Sequence, residues 1–323
     1  MQSKHYKLLL RCLLVLPLIL LVDYCGLLTH LHELDFERHF HYPLKDDRVG
    51  TSGISKFAYL RMPSFTAEIQ GDQPPRLTLL IKSAVSNVQR REAIRRTWGY
   101  EGRFSDVHLR RVFLLGTTTH GGEKDIAWES REHGDILQAD FIDAYFNNTL
   151  KTMLGMRWAS EHFNRSDFYL FVDDDYYVSA KNVLKFLGRG RSSHQPELLF
   201  AGHVFQTSPL RHKFSKWYVS LEEYPFDRWP PYVTAGAFLL SKQALLRLYS
   251  TSVHLPLFRF DDVYLGIVAL KAGIPLQHCD DFRFHRPAYK GPDSYSSVIA
   301  SHDFGDPEEM IRVWNECRSA NYA

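Results

Sequence analysis

Apolar and polar positions along the chain alternate between two periods. Short apolar runs at Leu77–Ile81, Val112–Leu115 and Phe168–Val172, the last rich in aromatic residues, have the length and composition of buried strands. Asp135-Ile136-Leu137 opens a further one. Between them lie stretches of helical spacing: Arg91–Trp98, Glu123–Glu132, and a segment in which Leu150, Met153, Leu154 and Trp158 share a face. Strands that alternate with helices imply an α/β fold with a mostly parallel sheet covered on both sides. Beyond Phe168–Val172, Ser179 is placed to cap a helix that carries Val183, Leu184 and Leu187 and stops at Gly188. Asp261 opens another that continues to Gly273, and Pro307–Trp314 reads as the last.

The amino-terminal pattern is different. Lys4, Lys7 and Arg11 flank an apolar segment, residues 8–28, long enough to cross a bilayer if Arg11 snorkels. The basic flank predicts a cytoplasmic tail (1–7), a signal-anchor (8–28) and everything after it outside the cytosol. A cleaved signal peptide competes, but Val22-Asp23-Tyr24-Cys25-Gly26 offers no small-residue cleavage site. Residues 29–75, with scattered Pro, Gly and charge, read as a stem, and 76–323 as the catalytic domain. Sequons at Asn147 and Asn164 fit that topology. Cys279 and Cys317 lie in the oxidising compartment, either paired or free.

Composition changes little. With 323 residues, 45% apolar, 24% charged and a net charge of +2, the chain is ordinarily globular and shows no basic stripe for nucleic acid.

The candidate chemistry sits where Phe168–Val172 runs into Asp173-Asp174-Asp175. Three carboxylates repel one another unless a positive group sits among them. Oxygen ligands at the carboxyl end of an α/β strand suit Mn²⁺, Mg²⁺ or Ca²⁺ near a bound nucleotide; a solvated acidic turn has the same string. Four arginines crowd Arg90–Trp98, mostly as a solvated face, and Arg95 is chosen as the one whose planar fork reaches a diphosphate. Trp229-Pro230-Pro231-Tyr232-Val233-Thr234-Ala235-Gly236 joins aromatic faces to small gaps, which suits sugar rings as well as tight strand packing. Asp261-Asp262 at a helix start reads either as a cap or as a rigidly held base.

Taken together, RREAIRRTWG, FLLG at 113–116, HGDILQADFIDAYFNNTLKT at 133–152, FVDDDYYV, PPYVTAGAFLLS at 230–241 and DDVYLG at 261–266 resemble glycosyltransferase family 31 over residues 77–317. The resemblance implies a GT-A fold, a UDP-sugar donor and Mn²⁺, with Mg²⁺ as the alternative, held by Asp173, Asp175 and His302, His285 being the competing histidine. It implies Asp174, Arg95, Lys82 and Gly236 at the donor; Asp261, Trp229, Tyr232 and Thr234 positioning substrate; and Asp262 as the base of an inverting transfer to a 3-hydroxyl. It further implies a Golgi membrane enzyme, and the part of the family most resembled implies UDP-GlcNAc as donor and a mannose-terminated glycosphingolipid or other glycan as acceptor. UDP-Gal is the rival donor, and a Ca²⁺-dependent lectin-like module the rival class. Where the family often has Glu-Asp and Gly-Gly-Gly, this chain has Asp261-Asp262 and Ala235-Gly236-Ala237, the second of which narrows the pocket.

Overall fold

The computed structural model describes residues 15–43, 53–64, 76–119, 121–162, 166–189 and 197–323. The chain divides into two units, residues 43–205 with 232–323, and residues 1–42 with 206–231.

The larger unit is built on an eight-stranded sheet. In chain order its elements are β1 (Tyr59–Arg61), β2 (Arg76–Lys82), α1 (Val88–Arg96), β3 (His108–Thr117), α2 (Glu123–His133), β4 (Ile136–Ile142), α3 (Asn148–Glu161), β5 (Phe168–Asp173), β6 (Tyr177–Val178) and α4 (Ala180–Arg189). There follow β7 (Phe200–Phe205), β8 (Tyr232–Ser241), α5 (Lys242–Ser252), α6 (Asp261–Ala272), β9 (Gln277–His278), β10 (Phe282–Arg283), β11 (Ala300–Ser301) and α7 (Pro307–Ser319). The strand order is β1-β4-β3-β2-β5-β8-β7-β9, beside a small sheet β10-β11-β6. From β4 to β5 the strands are parallel, and their apolar runs are buried on both faces. Across β5 the pairing with β8 is antiparallel, as is that of β8 with β7. The sheet is therefore mixed rather than mostly parallel: the strands around β8 are not joined by the strand–helix–strand units whose crossovers force parallel pairing.

Local signals set several boundaries. Ser179 accepts the Asn182 amide at 3.1 Å and starts α4, Ser241 caps α5 in the same way, and Gly273, with φ +64°, ends α6. Gly188 does not stop α4, which runs on to Arg189. The last helix extends past Trp314 because Val313, Trp314 and Cys317 keep its buried stripe going. Part of the expected stem belongs to the sheet, since β1 pairs with β4.

The smaller unit centres on Arg211. Its guanidinium is fully buried, pairs with Glu33 at 2.7 Å and donates to the carbonyls of Val219, Ser220, Tyr224 and Phe226. Leu34 bridges to Phe226, so residues 29–42 are ordered against 206–231 instead of forming a loose tether. Of the expected anchor, residues 8–14 lie outside the described residues. Residues 15–24 are helical with the apolar side chains of 15–21 exposed, and among the described residues no helix is long and apolar enough to cross a membrane.

Candidate active site

The site forms at the carboxyl ends of β2 and β5, adjacent parallel strands whose register places Lys82 beside Asp173. Lys82 is the hub. Its buried ammonium lies 2.9 Å from Asp173 and 2.9 Å from Asp261, and donates to the Ala235 carbonyl at 2.9 Å. Burial alone would push Lys82 down, but the two carboxylates outweigh it and hold the amine charged. One cation thus ties the triplet to the first turn of α6, two segments far apart in the chain.

The three aspartates have separate fates. Asp173 is pushed up to about 6 by burial, with Lys82 opposing and Asp175 and Asp261 adding repulsion. Asp174 is enclosed: Ser83 donates to it at 2.6 Å, Asn87 at 2.9 Å and Arg90 at 3.0 Å. Its carboxylate is thus engaged by the start of α1 and the loop before it. Asp175 has one oxygen 3.5 Å from His302 Nε2 and a second that is buried with no partner among the described residues. Burial would raise Asp175, yet His302 and Arg90 carry it below the ordinary carboxylate range. His302 is raised in turn, by its hydrogen bond to Asp175 against the effect of burial.

An unsatisfied buried carboxylate oxygen beside an imidazole is what a hard divalent cation would complete. Asp175 and His302 fit such an ion, whereas Asp173 is turned towards Lys82. Exposed His285 instead lies against Phe284. Among the described residues, the one group of three metal-type side chains with ligand atoms mutually within 4.8 Å is His203, His278 and Asp280. The Val204 amide donates to His278 Nδ1 at 3.1 Å, which leaves the proton on Nε2, directed at Asp280. A histidine that spends one lone pair on an amide and keeps its other nitrogen protonated is not poised as a ligand.

Asp261 and Asp262 are not caps. The cap position is Phe260, no side chain closes the turn, and both aspartates lie within it. Asp261 accepts from Lys82 and, at 3.1 Å, from the Thr152 hydroxyl. Asp262 accepts only the Val263 amide among its described partners, at 2.8 Å. Burial first, and then the charge of Asp261, push Asp262 up to about 7. It is a carboxylate of raised basicity on a rigid helix turn.

Several expected donor and substrate contacts are otherwise engaged. Arg95 is buried in an ion-pair network, 2.7 Å from Glu129 and 2.8 Å from Asp135, to which Arg91 and Arg111 also bind. At Gly236 a Cβ would overlap the Tyr176 hydroxyl, so the missing side chain makes room for that ring. Gly236 lies with Thr234 where β8 slips register against β7, a bulge that aims the Ala235 carbonyl at Lys82. Tyr232 is buried in the sheet, its ring 6.0 Å from that of Phe205 and tilted against it. Trp229 belongs to the smaller unit, with its ring 4.1 Å from that of Tyr224. Asn147 donates to the Ile142 carbonyl at 2.7 Å while the Thr149 hydroxyl of its sequon is buried on Phe258; Asn164 lies outside the described residues. Cys279 and Cys317 are free thiols.

The residues sequence reasoning missed are Arg90, Lys151 and Asp143. Arg90, five residues before Arg95, is the arginine of the cluster that faces the triplet, partly exposed and also bonded to the Gly305 carbonyl. Lys151 is buried between the Ser83 carbonyl and Asp143, whose other oxygen is buried and unpartnered among the described residues. Asp143 lines a cleft of about 400 Å³ with Ala84, Ser86 and Thr118, past the carboxyl ends of β2, β3 and β4.

A mixed sheet with a carboxylate turn at the end of a central strand is a GT-A-like arrangement. The galactosyltransferase family model matches residues 89–280, and the chain belongs to that family of glycosyltransferases. It is 87% identical to "Beta-1,3-galactosyltransferase brn" of Drosophila melanogaster over the full length of both. Human "Beta-1,3-galactosyltransferase 5" is 35% identical over 75% of this chain and 78% of the relative. Among solved structures, the galactosyltransferase LgtC aligns over 76% of this chain and 94% of its own at 12% identity and a TM-score of 0.39.

Proposed function

We propose that the protein is an inverting β1,3-N-acetylglucosaminyltransferase that moves GlcNAc from UDP-GlcNAc to the 3-hydroxyl of a terminal sugar, with a β-mannose glycosphingolipid as the acceptor. The observation that carries the site is Lys82, which joins Asp173 and Asp261 and so makes triplet and α6 one centre. Asp262 takes the proton of the acceptor hydroxyl, the freed oxygen attacks the anomeric carbon from the face opposite the leaving group, and UDP departs with inversion. Basicity near neutrality suits that proton transfer. Asp175 and His302 would hold Mn²⁺, or Mg²⁺, which when bound supplies counter-charge to the diphosphate. Asp261 and Lys82 fix the turn that carries the base, and Arg90 brings positive charge to the donor side. Asp143 lines the cleft beyond β2–β4, which is placed to take the nucleoside.

That the relatives above are named as galactosyltransferases favours UDP-Gal as a second reading, with the same machinery. Incubation of the full chain with Mn²⁺ and either donor, with a β-mannose-terminated glycolipid, separates them: product from UDP-Gal alone replaces the first reading by the second. Neither product, with Ca²⁺-dependent glycan binding and no UDP-induced rise in melting temperature, would leave the lectin-like module.

Residues 8–28 are proposed as an uncleaved anchor with the catalytic unit in the Golgi lumen. The exposed apolar side chains of residues 15–21 support it. Protease added to sealed microsomes should spare the catalytic unit; its digestion would reverse the orientation.

A further inference from the structure

The loop 210–218 of the smaller unit is a compact, closed turn with no burial to explain its rings. Leu210 bridges to Tyr218, the Ser215 amide donates to His212 and the Tyr218 amide to Ser215. Its tip nevertheless presents Phe214 at 64% exposure and Trp217 at 47%. The loop is fastened to the end of the apolar helix at residues 15–24. The Lys213 amide donates to the Tyr24 carbonyl at 3.1 Å, Lys213 Nζ pairs with Asp23 at 2.7 Å, and the Phe214 ring lies 5.8 Å from that of Tyr24. Gly26, at φ +79°, packs so closely on the Arg211 backbone that a Cβ would overlap it. Lys216 lies over the Trp217 ring at 4.4 Å.

We infer that this loop is a second membrane contact: Phe214 and Trp217 enter the headgroup region of the leaflet that the anchor leaves, with Lys213 held on Asp23 and Lys216 on the Trp217 ring at the same level. The inference rests on the proposed anchor. The occupant follows from position and chemistry. The helix stays apolar on its exposed surface up to Leu21, and the loop is hydrogen-bonded where it gives way to Asp23 and Tyr24, near the luminal end of the proposed anchor, where the interfacial region of the leaflet would lie. Tryptophan and other aromatic rings with lysines beside them are the side chains that partition to such a region.

The test uses the full chain in phosphatidylcholine nanodiscs whose lipids carry bromine either close to the headgroup or close to the methyl end. One of the six tryptophans should be quenched by the headgroup-side bromines, and that component should vanish in Trp217→Phe. Phe214→Ser should reduce the Trp217 component several-fold by loosening the loop from the interface, with turnover on a water-soluble acceptor retained in both variants. Equal quenching of parent and Trp217→Phe, in protein that still resists carbonate extraction, would show that the anchor holds and the loop stands off the bilayer; the patch would then belong to a protein partner, and the inference would be wrong. Extraction by carbonate would remove the anchor reading, and this one with it.

Discussion

At the scale of single residues, the site assigns roles that substitutions can separate. Asp262→Asn keeps the size of the side chain and removes the proton acceptor. Turnover should fall about 10²–10⁴-fold, while UDP binding, followed as protection against thermal unfolding, persists. Because burial and Asp261 disfavour the charged form of Asp262, its pKa is raised on folding and ionisation costs stability as pH rises through neutrality. Asp262→Asn should therefore melt no lower than the parent at pH 8. The same raised pKa puts the acid limb of the kcat/KM profile near pH 7, with activity lost below it. Asp261→Asn removes the repelling neighbour and should move that limb to lower pH; an unmoved limb in a folded Asp261→Asn protein would mean that another group is titrating. For the arginines, Arg90→Met should weaken UDP binding with a small change in stability, and the reverse pattern would return the donor role to Arg95. His302→Ala should raise the Mn²⁺ concentration needed for half-maximal activity far more than His285→Ala, since only His302 approaches Asp175.

At the scale of elements, the network Arg91–Glu129–Arg95–Asp135–Arg111 joins α1, α2, the approach to β4, and β3 through buried charges. Removing one member leaves its partners charged without water, so Glu129→Ala should cost about 3–5 kcal/mol, read as a lowered denaturation midpoint. Glu129 and Asp135 face burial, which would raise them, but their arginines prevail and both are lowered. That stabilisation is present above the ordinary carboxylate range and is lost as pH falls through the folded values, so Glu129→Ala should lose its disadvantage in strong acid. The bulge in β8 makes a different demand. Gly236→Ala would drive Tyr176, 5.0 Å from His302, out of its place, at about 1–3 kcal/mol of overpacking. Lost activity with retained Mn²⁺ affinity would show that Tyr176 moves without carrying His302 along.

At the scale of the whole molecule, what the sequence determined by itself was whatever depends on neighbours in the chain. The apolar runs that became β2, β3 and β5, the serines that begin α4 and α5, and Gly273 at the end of α6 act within a few residues, and their signals survive without a fold. The Asp triplet was legible because a buried strand that ends in carboxylates demands a counter-charge. The identity of that counter-charge was not legible: Lys82 meets Asp173 and Asp261 only once β2 lies beside β5 and α6 folds over them. Nor could spacing tell Arg90 from Arg95, which sit on one helix and differ in whether Asp174 or the Glu129–Asp135 pair lies opposite. The same holds for Gly236, whose missing side chain makes room for Tyr176, and for Asp262, whose basicity comes from burial and from Asp261. Local backbone preference and hydrophobic period are written in consecutive residues. Pairing, burial and the electrostatics they create depend on segments remote in sequence, and only the tertiary structure brings those together.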